Sequence, residues 1–178
     1  LKPYESVVSL ACDSWDGFSV EAEWTGTVQR TLTLAGTWKV SFADAKSYGL
    51  DKETFGFGEV GRRKELHPLS CEPEFADKTG TLRYEKTFDW EKTQESRVFL
   101  NLGEVFETAE VFVNGKSAGV CICPPYRIEI TEELAFGRNE LAIEVTNTLG
   151  NENKDFMSQY TPVEPFGLLG PVMIEEER

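Results

Sequence analysis

Residues 108–123 read TAEVFVNGKSAGVCIC, and this stretch decides the fold. Apolar side chains alternate with polar ones up to Val113, and Asn114-Gly115 follows at once. An Asn-Gly pair between two alternating segments is the strongest short-range signal for a β-hairpin, because both residues tolerate a positive φ. Alternation with period two is typical of a strand buried on one side only. The stretch therefore predicts two antiparallel strands joined by a tight turn.

The same alternation recurs on both sides of this hairpin and predicts about nine strands. Two stretches interrupt it, residues 44–79 and 147–170, which are rich in Gly, Pro or Asn and are predicted to be long loops. The residues predicted to face the core include Leu32, Leu34, Trp38, Val40 and Phe42, then Leu82, Tyr84, Phe88 and Trp90, then Val98, Leu100 and Leu102, then Ala109, Val111, Val113, Val120 and Ile122, and finally Tyr126, Ile128, Ile130, Leu141, Ile143, Val145, Val172 and Ile174.

Many short strands without long helical periodicity predict the fold class. It is all-β, a two-sheet antiparallel jelly-roll β-sandwich. An immunoglobulin-like strand order is the alternative. A domain of that kind has about 100 residues, and would leave much of this 178-residue chain without an assignment.

Charge narrows the choice of partners. The chain carries 18 Lys and Arg against 31 Asp and Glu, a formal net charge of −13. Nucleic acid is therefore a poor partner, because its binding depends on clustered cations, whereas a neutral sugar is compatible with this charge. Apolar runs stay far below the roughly 20 residues of a membrane span. The first residues lack the pattern of a secretory signal, and we leave the compartment open.

Metal and nucleotide motifs are weak. The four cysteines are Cys12, Cys71, Cys121 and Cys123, and they lack the paired C-x-x-C spacing of a zinc site. Residues 56–61 match G-x-G-x-x-G, but the surrounding sequence does not predict the strand-to-helix context of a dinucleotide site. We expect neither site.

Several segments, in order, resemble the galactose-binding-like jelly roll of glycoside hydrolases. The resemblance is to the sugar-binding domain of family 2 enzymes and to related modules of large α-L-rhamnosidase-type enzymes. It covers roughly residues 32–175 and implies the same jelly-roll fold. The matching segments are Gly36-Thr37-Trp38-Lys39-Val40, Thr79 to Phe88, Leu102 to Thr131 with its Asn114-Gly115 and Pro124-Pro125-Tyr126-Arg127 turns, Gly137 to Val145, and Gly167-Leu168-Leu169-Gly170-Pro171-Val172.

The resemblance also divides the chain. Residues 31–178 are predicted to form the galactose-binding-like β-sandwich, and residues 1–30 an N-terminal extension or linker with an added strand. In family 2 galactosidases this domain lends the active site an acidic residue shortly before the closing Gly-Ile/Leu segment. The corresponding stretch here contains Glu164, which falls a few positions too late for that role.

Catalysis by this chain itself is not expected. Glycosidases need two carboxylates about 5–10 Å apart, one of them with a raised pKa, and the sequence shows no βα repeat that would present such a pair. A Ser-His-Asp arrangement would need His67, the chain's single histidine, and no Gly-x-Ser-x-Gly elbow accompanies it. The parent protein is predicted to be a glycoside hydrolase.

Three functions remain open for such a module. The first is a carbohydrate-binding or accessory module of a larger glycoside hydrolase, with a glycan as partner. The second is a purely architectural domain that packs on the neighbouring catalytic domain of the same chain. The third is a protein-recognition or adhesion module. The candidate sugar ligands are loop aromatics and polar side chains, namely Tyr48, Phe55, Phe57, Tyr126, Arg127, Asn151, Asn153 and Tyr160.

Cofactor predictions are limited to one structural calcium ion. Galactose-binding-like folds frequently carry such an ion, and calcium takes oxygen ligands from loops. Solvated surface acids are the alternative interpretation of the same residues, and Tyr126 has an alternative role as a core residue in phase with Ile128 and Ile130. The candidate calcium ligands are Asp44, Asp51, Glu53, Glu152 and Asp155.

Overall fold

A computed structural model of the chain describes residues 26–45, 56–91, 96–152 and 164–178. These residues form strands and two short 3-10 helices, Leu69–Cys71 and Leu149–Asn151. The strands of the described residues are β1 Val28–Thr33, β2 Trp38–Asp44, β3 Gly58–Arg63, β4 Gly80–Trp90, β5 Arg97–Asn101, β6 Glu104–Phe106, β7 Thr108–Val113, β8 Lys116–Cys121, β9 Arg127–Glu129, β10 Gly137–Thr146, β11 Gly167–Gly170 and β12 Met173–Glu177.

Two main antiparallel sheets face each other. The six-stranded sheet has the order β3-β2-β4-β10-β7-β8, and the four-stranded sheet has the order β1-β12-β5-β9. A small third sheet pairs β11 with β6. Strands distant in sequence lie side by side, such as β4 with β10 and β5 with β12. This arrangement confirms the predicted all-β jelly-roll sandwich. In the described part of the chain, no helix has the length and hydropathy to cross a membrane.

The core lies between the two main sheets. On β4 the four predicted inward residues, Leu82, Tyr84, Phe88 and Trp90, are all buried. Burying a side chain of this size contributes about 1.5–3 kcal/mol relative to leaving it in water. Neighbouring strands and the residues next to their ends complete the core with Trp38, Val40, Val98, Leu100, Leu102, Ala109, Val111, Val113, Ile130, Leu141, Ile143, Val145, Phe166, Leu168 and Ile174.

The Asn114-Gly115 turn joins β7 to β8 as predicted. The φ angles are 52° at Asn114 and 78° at Gly115. The Asn114 amide also donates to the Glu133 carbonyl at 2.8 Å and to Asn139 Oδ1 at 2.9 Å. Asn139 is fully buried and makes further hydrogen bonds to the backbone of Ala135 at 2.8 and 3.0 Å. The turn is therefore fixed to the loop before β10 as well as by its own conformation.

The prediction of one long loop over residues 44–79 is wrong in the middle of that range. β3 lies there and pairs with β2, and β11 likewise occupies the end of the loop predicted over residues 147–170. β3 was missed because it is an edge strand with one apolar residue, Val60, and a largely exposed surface. The G-x-G-x-x-G motif ends inside this strand, and the described residues after it do not begin a helix.

Val120 and Ile122 do not face the core. They are 57% and 74% exposed, because the pairing of β7 with β8 shifts register between Val111 and Phe112. Such a bulge inserts an extra residue and exchanges the faces of the residues that follow. Cys121 therefore becomes buried, while Cys123, two residues on and beyond the strand, is exposed. Leu32 on the edge strand β1 is exposed as well.

Candidate ligand-binding surface

Tyr126 lies half-buried against the core, at the turn before β9. Its hydroxyl donates a hydrogen bond of 2.6 Å to the carbonyl of Glu107, and burial raises the pKa of this hydroxyl. The Tyr126 backbone carbonyl accepts a hydrogen bond from Leu102. Tyr126 thus fastens the turn to the sandwich, and its role in sugar binding stays a prediction.

Arg127 lies on the four-stranded sheet beside Phe99, with its guanidinium carbon 3.7 Å from the ring centroid. Its Nε donates to Glu175 at 2.8 Å, and its Nη2 donates to Glu177 at 2.6 Å. Planar guanidinium groups hold carboxylates well in this geometry. The side chain therefore links β9 to β12 across β5, and two of its donor atoms are already bound to carboxylates.

Phe57 is placed elsewhere, before β3, with the Arg83 guanidinium 5.5 Å from its ring centroid. Asn151 lies in the 3-10 helix Leu149–Asn151, and its side chain is outside what the structure describes. The structure therefore does not assemble Phe57 with Tyr126 and Arg127 into one site. The predicted ligands that fall outside the described residues are Tyr48, Phe55, Asn153 and Tyr160.

Two calcium candidates fall within the described residues. Asp44 ends β2, and its carboxylate lies 3.4 Å from the Lys78 ammonium, which already compensates its charge. Glu152 caps the 3-10 helix Leu149–Asn151 through its backbone N–H. Among the described residues, His, Cys, Asp and Glu side chains form no group of three or more that could hold a metal ion. Asp51, Glu53 and Asp155 lie outside the described residues, and the calcium site stays a prediction.

A shallow depression of about 500 Å³ lies on the outer face of the six-stranded sheet, the face turned away from the core. Strand pairing places one row of residues across the depression. Lys39 on β2 is opposite Glu85 on β4, Glu85 is opposite Ala142 on β10, and Ala142 is opposite Phe112 on β7. The small Ala142 side chain between larger neighbours leaves the floor of the depression open. We call this feature the outer-face depression.

Polar and charged groups surround the Phe112 ring in the outer-face depression. Lys39 Nζ donates to Glu85 at 2.9 Å, and that hydrogen bond raises the pKa of Lys39. Arg83 lies 3.9 Å from Glu85 and 3.4 Å from Glu144, with its guanidinium 6.0 Å from the Phe112 centroid. The remaining lining residues are Thr37, Arg62, Lys86, Thr87, Gly115, Glu140 and Leu141. An aromatic ring beside donors and acceptors is the combination that holds a small polar ligand.

Sequence reasoning did not locate the outer-face depression. Alternation along β4 places Arg83, Glu85 and Thr87 on the outer face, and alternation along β7 places Phe112 there. The missing information is the register of β2, β4, β10 and β7, which brings Lys39, Glu85, Ala142 and Phe112 into one row. A rule that pairs an outward aromatic residue with a small outward residue on the neighbouring strand would have found it.

A second depression of about 510 Å³ lies between β1 and the start of β10. Its Trp90 ring is covered by the Arg30 guanidinium at 3.9 Å. Arg30 is held there by Glu176 at 2.9 Å and by the Glu91 carbonyl at 2.8 Å. Phe136 on the rim is 80% exposed. A sugar could not stack on Trp90 without displacing Arg30, so the second depression is the weaker candidate for a ligand.

Comparison with known proteins agrees with this architecture. No protein-family profile matches the chain. A protein described as "Putative beta-glucuronidase" from Formosa agariphila is 32% identical over 130 residues, which are 70% of this chain and 10% of that protein. A rhamnosidase from Novosphingobium sp. PP1Y superposes with a TM-score of 0.67 at 28% identity, over 89% of this chain and 16% of the rhamnosidase.

The chain resembles one part of glycoside hydrolases. A beta-D-glucuronidase from Dictyoglomus thermophilum shares the fold with a TM-score of 0.58 at 20% identity, over 90% of this chain and 29% of that enzyme. The resemblance inferred from sequence is thereby confirmed. This galactose-binding-like sandwich spans 10% to 29% of the length of these hydrolases.

Proposed function

We propose that the chain is a non-catalytic, carbohydrate-binding module of a larger glycoside hydrolase. The observation that carries the proposal is the outer-face depression, in which Phe112 stands opposite the small Ala142 and shares the lining with charged and hydroxyl-bearing side chains. Similarity to a limited part of much longer hydrolases supports the context of a multidomain enzyme.

The non-catalytic part of the proposal rests on the chemistry of the depression. A glycosidase general acid must carry its own proton when the substrate binds. Both oxygens of Glu85 instead already face cations, with Lys39 Nζ 2.9 Å from Oε2 and Arg83 Nε 3.9 Å from Oε1. Glu140 lies at the exposed surface of β10. The depression is therefore suited to holding a sugar rather than to cleaving one.

The binding part of the proposal rests on shape and on ring chemistry. A pyranose presents an apolar C–H face, which packs against an aromatic ring, and hydroxyls, which exchange hydrogen bonds with charged side chains. Phe112 offers the ring, Thr87 a hydroxyl, and Glu140 an acceptor. The volume of about 500 Å³ is within the range of small-molecule sites.

An architectural role is the second candidate, because apolar side chains are exposed near β1. Phe136 is 80% exposed, Val28 45% and Leu32 37%. Exposed apolar side chains of this size often mark surfaces that contact another domain. A module that binds sugar through the six-stranded sheet can also contact its neighbour through this other surface, so the two roles are compatible.

Two assays on the 178-residue chain test the proposal. The first measures release of nitrophenol from a panel of aryl glycosides, for which we expect no turnover above a buffer control. The second is a calorimetric titration with plant and algal oligosaccharides, for which we expect binding by the wild type and at least tenfold weaker binding by Phe112→Ala. Phe136→Ala is the matched aromatic control and should bind like the wild type.

Turnover that follows the chain through purification would overturn the non-catalytic assignment. Absence of binding to every oligosaccharide at millimolar concentration would overturn the carbohydrate-binding assignment and favour the architectural role. Equal loss of affinity in Phe112→Ala and Phe136→Ala would show that the depression is not the site.

A further inference from the structure

Basic side chains outnumber acidic ones in the outer-face depression although the protein is strongly acidic. Among the described residues that line it, the outward-facing basic side chains are Lys39, Arg62 and Arg83, whereas Glu85 and Glu140 are acidic. In the whole chain the proportion is reversed, with 18 basic against 31 acidic residues. The depression thus concentrates positive charge where the surrounding protein provides little of it, and a local surplus of this kind attracts anions.

Within the described ranges, two arginines, Arg83 and Arg127, lie beside phenylalanine rings, and they differ in how fully their donors are used. Arg127 holds Glu175 at 2.8 Å and Glu177 at 2.6 Å. The contacts of Arg83 are longer, at 3.4 Å to Glu144 and 3.9 Å to Glu85. Its Nε is buried without a hydrogen-bond partner, and the side chain as a whole is 34% exposed. A guanidinium group held only by such long contacts retains donors at its Nη atoms for a second acceptor group. Arg83 therefore keeps donors for an incoming anion that Arg127 has already used.

A further cation lies at the edge of the same depression. Arg62 is exposed on the edge strand β3, opposite Lys39 on β2. Lys86 belongs to the other face of β4, because it alternates with the buried Tyr84 and Phe88 and its Nζ lies 5.1 Å from the centroid of the Trp38 ring. An anion in the depression would thus face Arg62 and Arg83, while Phe112 packs against the ring that carries the anion.

We propose that the outer-face depression binds a glycan that carries negatively charged groups, carboxylate or sulfate, on its sugar rings. This inference rests on the proposed carbohydrate-binding function and specifies its ligand class. Arg83 and Arg62 contact the anionic group, since guanidinium donates paired hydrogen bonds to two oxygens of a planar carboxylate or of a tetrahedral oxyanion such as sulfate. Phe112 contacts the C–H face of the sugar. Nucleic acid is disfavoured, because a long phosphate backbone would extend beyond the three cations onto an acidic surface.

Matched ligand pairs separate charge from sugar shape. The first pair is the α-1,4-linked trimer of galacturonate and its fully methyl-esterified form, which has the same skeleton without the charge. The second pair is a sulfated carrageenan-type tetrasaccharide and its desulfated form. Calorimetric titration of the 178-residue chain should show at least tenfold tighter binding of the charged member in one pair. The pair that shows it identifies carboxylate or sulfate as the recognised group.

Variants locate the site. Arg62→Glu and Arg83→Met should each reduce the affinity for the charged glycan at least tenfold. Lys64→Glu is the control for Arg62→Glu, because it makes the same change of net charge at an exposed residue outside the depression, and it should bind like the wild type. Thermal unfolding of each variant checks that it is folded. Raising the salt concentration should weaken the binding of the charged ligand and leave the binding of the neutral one unchanged.

The outcomes distinguish this inference from the proposed function. Equal affinity for both members of both pairs would overturn the anionic ligand class and leave carbohydrate binding intact. Binding of no charged or neutral glycan would overturn both proposals. Equal effects of Arg62→Glu and Lys64→Glu would show non-specific attraction and overturn the site. Tighter binding of single-stranded oligonucleotides than of any glycan would also contradict the inference.

Discussion

The backbone N–H of Leu168 donates a hydrogen bond of 3.2 Å to the hydroxyl of Tyr84. Both residues are buried, at 0% and 1% exposure, and burial raises the pKa of the Tyr84 hydroxyl. This contact fastens β11 of the small sheet to β4 in the centre of the six-stranded sheet. The hydrogen bond gives the Leu168 N–H an acceptor, and without it this donor would be buried with no partner.

Replacing Tyr84 by Phe removes the acceptor and leaves the Leu168 N–H buried without a partner. A buried donor without a partner costs about 1–3 kcal/mol. We expect Tyr84→Phe to lower the free energy of unfolding by that amount in urea denaturation followed by tryptophan fluorescence. An unchanged midpoint and slope would show that the hydrogen bond contributes nothing.

Gly167, the residue before Leu168, lies close to the same Tyr84 hydroxyl. A Cβ on Gly167 would lie 2.6 Å from Tyr84 Oη, and its φ is +123°. Gly137 has a φ of +82° with open space around it. We expect Gly137→Ala to cost about 1–2 kcal/mol for its backbone conformation, and Gly167→Ala to cost about 1–3 kcal/mol more because of the overlap. Equal losses in thermal unfolding would contradict the predicted crowding.

Arg127 is expected to contribute to stability. Arg127→Met leaves Glu175 and Glu177 close together on β12 without their cation, and we expect a loss of about 1–3 kcal/mol. Arg127→Lys should recover only part of it, because one ammonium cannot reproduce the paired geometry. The control is Arg97→Met, whose ion pair with Glu129 is exposed at 3.7 Å, with an expected loss of about 0–1 kcal/mol. A stable Arg127→Met that no longer binds glycan would instead support the sugar-binding role predicted from sequence.

Glu72 makes stability depend on acid pH. Hydrogen bonds from Arg63, at 3.0 and 2.8 Å, are the main reason that the pKa of Glu72 lies below its usual 4.5, and His67 adds to the effect. A lowered pKa means that the stabilisation is complete above pH 4.5 and is lost as the pH falls through the lower folded-state value. We expect Glu72→Gln to be less stable than the wild type at pH 7, with the difference shrinking below pH 4.5. Urea denaturation from pH 7 to pH 3 measures this, and parallel curves would contradict it.

The elements that sequence predicted best are those fixed by local patterns. Alternation along β4 and the Asn114-Gly115 turn depend on residues close together in the chain, and both are confirmed. Val120 and Ile122 were assigned to the wrong face because the register shift in the β7–β8 pairing is a property of two strands together. β3 escaped prediction because an exposed edge strand has little need for apolar residues.

The candidate site was harder to predict for the same physical reason. Tyr126 and Arg127 were predicted as sugar ligands because they are an aromatic residue and a cation at a turn. In the structure they make internal contacts, Tyr126 with Glu107 and Arg127 with Glu175 and Glu177. The outer-face depression depends on which residues of four strands stand opposite one another. Its members lie between residues 37 and 142, and only the sheet register brings them together.

The most direct test of the account is to map where a glycan contacts the chain. The measurement is a titration of the uniformly ¹⁵N-labelled 178-residue protein with the galacturonate trimer and with its methyl ester, followed by the amide chemical shifts. We predict that the largest shift changes fall on Phe112, Ala142 and Glu85 at the outer-face depression, and that the acidic trimer saturates them at lower concentration. Changes confined to the turn at Tyr126 and Arg127, or no change with either ligand, would contradict the account.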